Sequence, residues 1–233
     1  MKTTFLWLTL FSIAMGFLES AVVVYLREIY YPNGFGFPLV ALSGKIAFTE
    51  LLREVATVIM LIAAGYLGGQ FFRHRFAWFI YCFGIWDIFY YVFLKVLLNW
   101  PETWLTWDLL FLIPVPWTGP VLAPIIASLT MILMAWVILK QLTDKRNFPW
   151  NAWLPVITGT IVIFISFIWD YMVYLSDQKI NVFFQFNTMQ ESLIQYIPDN
   201  FKWAVFLAGE LIILIGLLNY WRTERRLHQH KTF

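Results

Sequence analysis

Apolar residues recur along this chain in runs long enough to cross a bilayer, each closed by a short polar, glycine-bearing or proline-bearing break. Six such runs stand at about 4 to 29, 46 to 67, 76 to 97, 121 to 141, 152 to 175 and 202 to 221. A helix of about 20 residues spans the ~30 Å hydrocarbon layer. Residues 101 to 120 are apolar too, but Pro101, Pro114, Pro116 and Pro120 forbid one continuous helix, because proline brings no backbone N–H and clashes with the preceding turn. That stretch is expected as a re-entrant or interfacial segment. Residues 176 to 200 form a long amphipathic connection. The pattern predicts an all-α fold: a six-transmembrane helix bundle forming one integral membrane domain over residues 1 to 233.

The first run begins after Lys2 as a secretory signal would, yet it continues past Glu19 to full spanning length without a clear small-x-small cleavage site, so it is expected to be retained. Composition agrees with the pattern: 61% of residues are hydrophobic and only 13% charged, with the apolar runs spread from end to end rather than gathered in one core.

Scored by lysine and arginine, one side of the six runs collects Lys2, Arg73, Arg75, Lys140, Lys145, Arg146, Lys231 and the arginines of the tail, whereas the other has Arg27, Lys45, Lys95, Lys179 and Lys202. The positive-inside rule then gives a multi-pass protein of the cell membrane with both termini cytoplasmic. A formal net charge of +2 gives no reason to expect nucleic acid as a partner.

Several chemistries fall away. Cys82 is the single cysteine, and the histidines are His74, near a predicted turn, and His228 and His230 in the tail. No metal site or cofactor is therefore expected within the bundle. There is no His-x-x-x-His, Gly-x-Gly-Asp, Gly-x-Ser-x-Gly or Asp-x-x-x-Asp motif and no P-loop.

What remains is a set of ionisable residues that membrane helices do not carry casually. Asp87 falls about eleven residues into its run, roughly 16 Å deep at ~1.5 Å per residue. Tyr90 and Tyr91 follow on the same helical face, close enough to exchange a proton with it. Glu210 stands near the middle of the sixth run, Asp170 in the outer half of the fifth, and Glu19 beyond the middle of the first. Glu50, Arg53 and Glu54 share one face at i, i+3 and i+4, so Arg53 can bind either acid, and Glu19 at matching depth can join them. Internal ion pairing that holds the helices in register is the plain reading of that cluster. Lys95 and Lys202 are expected to snorkel to the surface. Ile85-Trp86-Asp87 with Tyr91 is echoed by Ile168-Trp169-Asp170 with Tyr174.

These residues lead to three functional expectations. The first is an outward-opening acidic and aromatic pocket that binds a lipid, isoprenoid or other amphiphilic small molecule, or acts on it by acid–base chemistry. In it Asp87, Glu210 and Asp170 would converge as catalytic acids, with Glu19, Glu50, Arg53, Glu54, Tyr91, Tyr174 and Trp86 as binding residues and the Pro114 to Pro120 stretch as roof. The second is a proton- or ion-coupled transporter, although the half of the bundle nearer the termini offers almost no polar route. The third is a subunit or assembly factor whose charges meet a membrane-protein partner or a second copy.

Overall fold

The computed structural model describes residues 2–140, 150–180 and 186–229. It is 76% helical. The elements run in the order α1 (Lys2–Tyr30), α2 (Gly44–Gly68), α3 (Phe72–Leu98), β1 (Trp107–Phe111), β2 (Trp117–Pro120), α4 (Leu122–Lys140), α5 (Trp150–Asp177), α6 (Phe186–Gln195) and α7 (Trp203–Gln229). Each long helix begins and ends within four residues of its expected bounds, save α7, which runs past 221 to Gln229.

Five helices, α1, α3, α4, α5 and the Trp203–Thr223 part of α7, are long and apolar enough to cross a membrane. At 25 residues α2 is long enough as well, but it carries Lys45, Glu50, Arg53 and Glu54 in its first half. Glu50 and Glu54 are buried, while Phe48, Leu52, Val55, Ile59, Ile62 and Tyr66 form an exposed stripe at helical spacing. Glu50, Arg53 and Glu54 therefore turn inward while Lys45 stays exposed at the helix start, and beyond it the outer face of α2 is as apolar as its neighbours'. Similar exposed faces on the other helices make up an apolar surface far larger than a soluble monomer leaves to water, and the chain is a multi-pass membrane protein.

Neighbouring contacts fix the directions. Thr9 meets Tyr81 and Ser20 meets the Tyr90 carbonyl, so α1 and α3 run parallel. Gly65 lies on Arg75 and Phe79, and Gly84 on Ser128 and Ile132, so α2 and α4 both run antiparallel to α3. The most extensive pairing, α5 with α7, closes where Gly159 and Gly209 face each other: a Cβ on Gly159 would stand 2.6 Å from the Gly209 carbonyl oxygen. Small residues at such a crossing let helix backbones approach, which is how helices gain packing energy in lipid.

Residues 101 to 120, expected as a re-entrant or interfacial segment, carry an antiparallel β-hairpin, which the proline pattern alone does not specify. Trp107 pairs with Pro120, Asp108 with Gly119 and Leu109 with Thr118, and a bulge shifts Phe111 opposite Trp117. Val121 N–H donates to the Thr106 carbonyl at 3.0 Å, fixing the hairpin to the start of α4. Pro114 and Pro116 occupy the hairpin's turn, where no ladder bond is needed from them. Asn99, in the left-handed conformation at φ 52°, ends α3. The Lys95 ammonium folds back onto the Asn99 and Pro101 carbonyls at 3.3 and 2.9 Å, the position of a cation that completes a helix C-terminus.

Candidate functional site

A cavity of about 180 Å³ lies between α1, α2 and α3 at the end of the bundle away from the chain termini. Its wall is completed by the 31–43 connection, the β1 strand and Leu193 and Ile194 of α6. Seven charged residues line it: the acids Glu19, Glu50, Glu54, Asp87 and Asp108, and the bases Arg27 and Arg53. The remainder is largely aliphatic and aromatic, including Val23, Leu26, Phe35, Leu39 and Phe111.

Arg53 joins two helices. Its Nε donates to Glu50 Oε2 at 2.8 Å, and its Nη1 donates to Glu19 Oε1 on α1. Thr57 Oγ1 adds a bond to Glu19 Oε2 at 3.2 Å. The expected network thus forms, with one difference. Glu54 turns away from Arg53 and accepts the Leu112 backbone N–H at 2.9 and 3.0 Å, so a carboxylate of α2 satisfies a backbone group where the hairpin turn begins.

Asp87 reaches across to α4 rather than along its own helix. Its Oδ2 accepts the Ser128 hydroxyl at 2.7 Å, at the level where Gly84 lets α4 approach α3. The expected bond from Tyr91 is not made, because Tyr91 donates instead to Asp108 Oδ2 at 3.1 Å on the hairpin. Asp108 is almost fully buried, and its other oxygen lies 3.6 Å from Arg27 Nη2. Burial pushes the Asp108 carboxyl up to about 6, against the pull of Arg27 and the Tyr91 hydroxyl. The Arg27 guanidinium is held over the rings of Trp100 and Phe35, at 3.8 and 4.2 Å from their centres. Tyr31 closes this side by accepting the Val40 N–H at 2.9 Å, and burial raises its phenol.

The expected convergence of Asp87, Glu210 and Asp170 does not occur, since only Asp87 lines the cavity. Glu210 lies at the contact of α7 with α4, where Thr130 Oγ1 donates to its Oε2 at 2.6 Å. Asp170 accepts the Tyr196 hydroxyl at 2.8 Å and the N–H groups of Asp199 and Asn200 at 3.2 Å, so it ties α5 to the chain entering α7. Tyr174 packs on Tyr171 and Tyr196 in that separate cluster. The Trp-Asp echo separates as well: Trp86 is 4% exposed and lines the cavity, whereas Trp169 is 41% exposed on the outer face of α5. The cavity's hairpin wall is Asp108 to Leu112, not Pro114 to Pro120, whose partners are Phe167, Phe201 and Tyr196.

Sequence reading missed Arg27 and Asp108. Arg27 ends an apolar run among tyrosines, the usual signature of an interface belt, and only the fold of residues 31–43 over it reveals burial. Asp108 follows Trp107 in what reads as a loop, so its alternation with Trp107 and Leu109 was the one available signal of a strand facing the bundle. Among the described residues, no three His, Cys, Asp or Glu side chains are grouped as a metal ion requires. Comparisons with protein families, curated proteins and solved structures give no match to this chain.

Proposed function

We propose that this membrane protein binds an amphiphilic small molecule in the α1–α2–α3 cavity, with Asp87 at its inner end as the acid–base group. The observation that carries the reading is convergence. Seven acids and arginines from α1, α2, α3 and β1 line one apolar-walled cavity, although each could have been replaced by a cheaper apolar side chain if helix packing were the only requirement. Carboxylates and tyrosines beside apolar walls suit a ligand with a polar head and a hydrocarbon body. Asp87 serves as the proton-transfer acid: it is buried, it keeps one oxygen outside its bond to Ser128, and among the described residues no guanidinium pairs with it.

The test is lipid and metabolite mass spectrometry of the protein purified in mild non-ionic detergent, beside an Asp87→Asn variant. Asparagine keeps the size and the Ser128 contact while deleting the titration. The wild type is expected to carry a molecule absent from mock purifications, and the variant to carry it in altered amount or in an unconverted form. An empty wild-type protein that also fails to take up any added amphiphile would overturn the reading.

A further inference from the structure

The side chains around the cavity are not balanced in what they leave unsatisfied. Every one of its five carboxylates has a donor: Glu19 and Glu50 have Arg53, Glu54 has the Leu112 N–H, Asp87 has Ser128 and Asp108 has Tyr91. The donors are not similarly matched. Arg27 is 7% exposed, and among the described residues neither its Nε nor its Nη1 has a hydrogen-bond partner. Its counter-ion among them, Asp108, lies at 3.6 Å, beyond hydrogen-bond distance. The indole Nε1 of Trp86, buried along the same cavity, also lacks an acceptor among the described residues. Buried N–H donors without partners are rare because each costs free energy, and a cationic donor costs most.

We infer that the occupant of the cavity is an amphiphile with an anionic head, a carboxylate or a phosphate ester, whose oxygens accept from Arg27 Nε and Nη1. This deepens the amphiphile reading above and rests on it. By charge alone the five acids would draw a cationic head over the two arginines, whereas the hydrogen-bond inventory points the other way. Each acid is already supplied with a donor, and Arg53 neutralises one of the two carboxylates it joins. A second cation beside Arg27 would add repulsion and leave its two nitrogens as they are.

Aromatic contacts constrain the guanidinium. Trp100 and Phe35 hold the guanidinium plane on the aromatic side, so its donors are restricted in direction before the ligand arrives. Val23, Leu26 and Leu39 offer an apolar lining for the first part of a hydrocarbon chain, and Trp86 Nε1 can serve a second oxygen, such as an ester or hydroxyl, further in. Asp108 is then the counter-ion that the incoming head displaces.

The probes are dodecyl phosphate and laurate, with dodecanol, dodecyltrimethylammonium and inorganic phosphate as comparisons. Binding is read by tryptophan fluorescence and thermal shift on the full chain in non-ionic detergent. The anionic amphiphiles are expected to bind at least about tenfold more tightly than dodecanol and than inorganic phosphate, corresponding to about 1.4 kcal/mol. Arg27→Gln is expected to remove that preference and Arg27→Lys to restore part of it. Should Arg27→Gln fail to fold, Asp108→Asn decides, since releasing Arg27 from its counter-ion should tighten dodecyl phosphate binding several-fold. Equal or tighter binding of the ammonium amphiphile, or an unchanged anion preference in Arg27→Gln or Asp108→Asn, overturns the anionic head while the amphiphile reading stands. Inorganic phosphate binding as tightly as dodecyl phosphate overturns the requirement for the chain. No binding of any amphiphile defeats both.

Discussion

Arg53 shows how a single cation can organise buried acids. It takes one carboxylate from its own helix and one from α1, so two helices with weak direct contact are joined by charge-assisted bonds rather than by packing. Removing the guanidinium leaves Glu19 and Glu50 without their counter-charge in a low-dielectric surrounding. Arg53→Ala is therefore expected to cost on the order of 3 kcal/mol or to force a proton onto one of the acids. Thermal unfolding in detergent checks it, and a wild-type melting temperature for Arg53→Ala would show that the network does not support the fold. The Glu50–Arg53 half of this arrangement was legible from i, i+3 spacing alone. Glu54 kept the right face but found a backbone N–H from the hairpin, a partner that helical spacing cannot reveal. Asp87 behaves in the same way: tyrosines stand three and four residues on along its helix, yet its bond is to Ser128 of another helix. Partners within one helix are fixed by 3.6-residue geometry, whereas partners between helices depend on which faces meet.

At the level of elements, the long helices were readable because apolar run length and break residues act locally on each segment. The hairpin was not. Its prolines and tryptophans announce an interruption of helix without saying what replaces it, and the β1–β2 register is set by the wall it packs against. Gly84 is where an element-scale contact controls the site. A Cβ there would stand 2.7 Å from the Ser128 carbonyl oxygen and 2.9 Å from Ile132, so any side chain pushes α4 away from α3. Ser128 would move with it, off Asp87. Gly84→Val is expected to destabilise the protein by about 2 kcal/mol through overpacking. It should also weaken retention of the co-purifying molecule beyond what Gly159→Val does, since Gly159 spaces α5 from α7 at a distance from the cavity. Equal retention in the two variants would separate the α3–α4 spacing from the site.

For the whole molecule, the distribution of charge gives the two ends of the bundle different characters. The five acids and two arginines of the cavity belong to the end bearing the 31–43 connection and the hairpin. The opposite end carries Lys2, Arg73, Arg75, Lys140 and Arg222 near helix termini, while Lys145, Arg146 and Lys231 lie outside the described residues. Not all of these basic residues are free topology markers: Arg73 is buried, donates to the Tyr220 hydroxyl and thereby links α3 to α7. By sequence that end still holds more lysine and arginine than the other, and retaining such charges on the side of synthesis is what orients helices during insertion. With α2 taken as a sixth crossing, the alternation of helix directions would place both ends of the chain on one side. Reporter fusions after residues 33, 103 and 233 are thus expected to place 233 in the cytoplasm and 33 and 103 outside it. The cavity would then face the outer half of the bilayer, where an amphiphile can enter laterally from lipid. A cytoplasmic signal at 33 together with a non-cytoplasmic one at 233 would invert the protein without altering its fold. A change of side between 33 and 103 would instead show that α2 and α3 do not form a crossing pair, and the inward turn of Glu50, Arg53 and Glu54 would lose its membrane explanation.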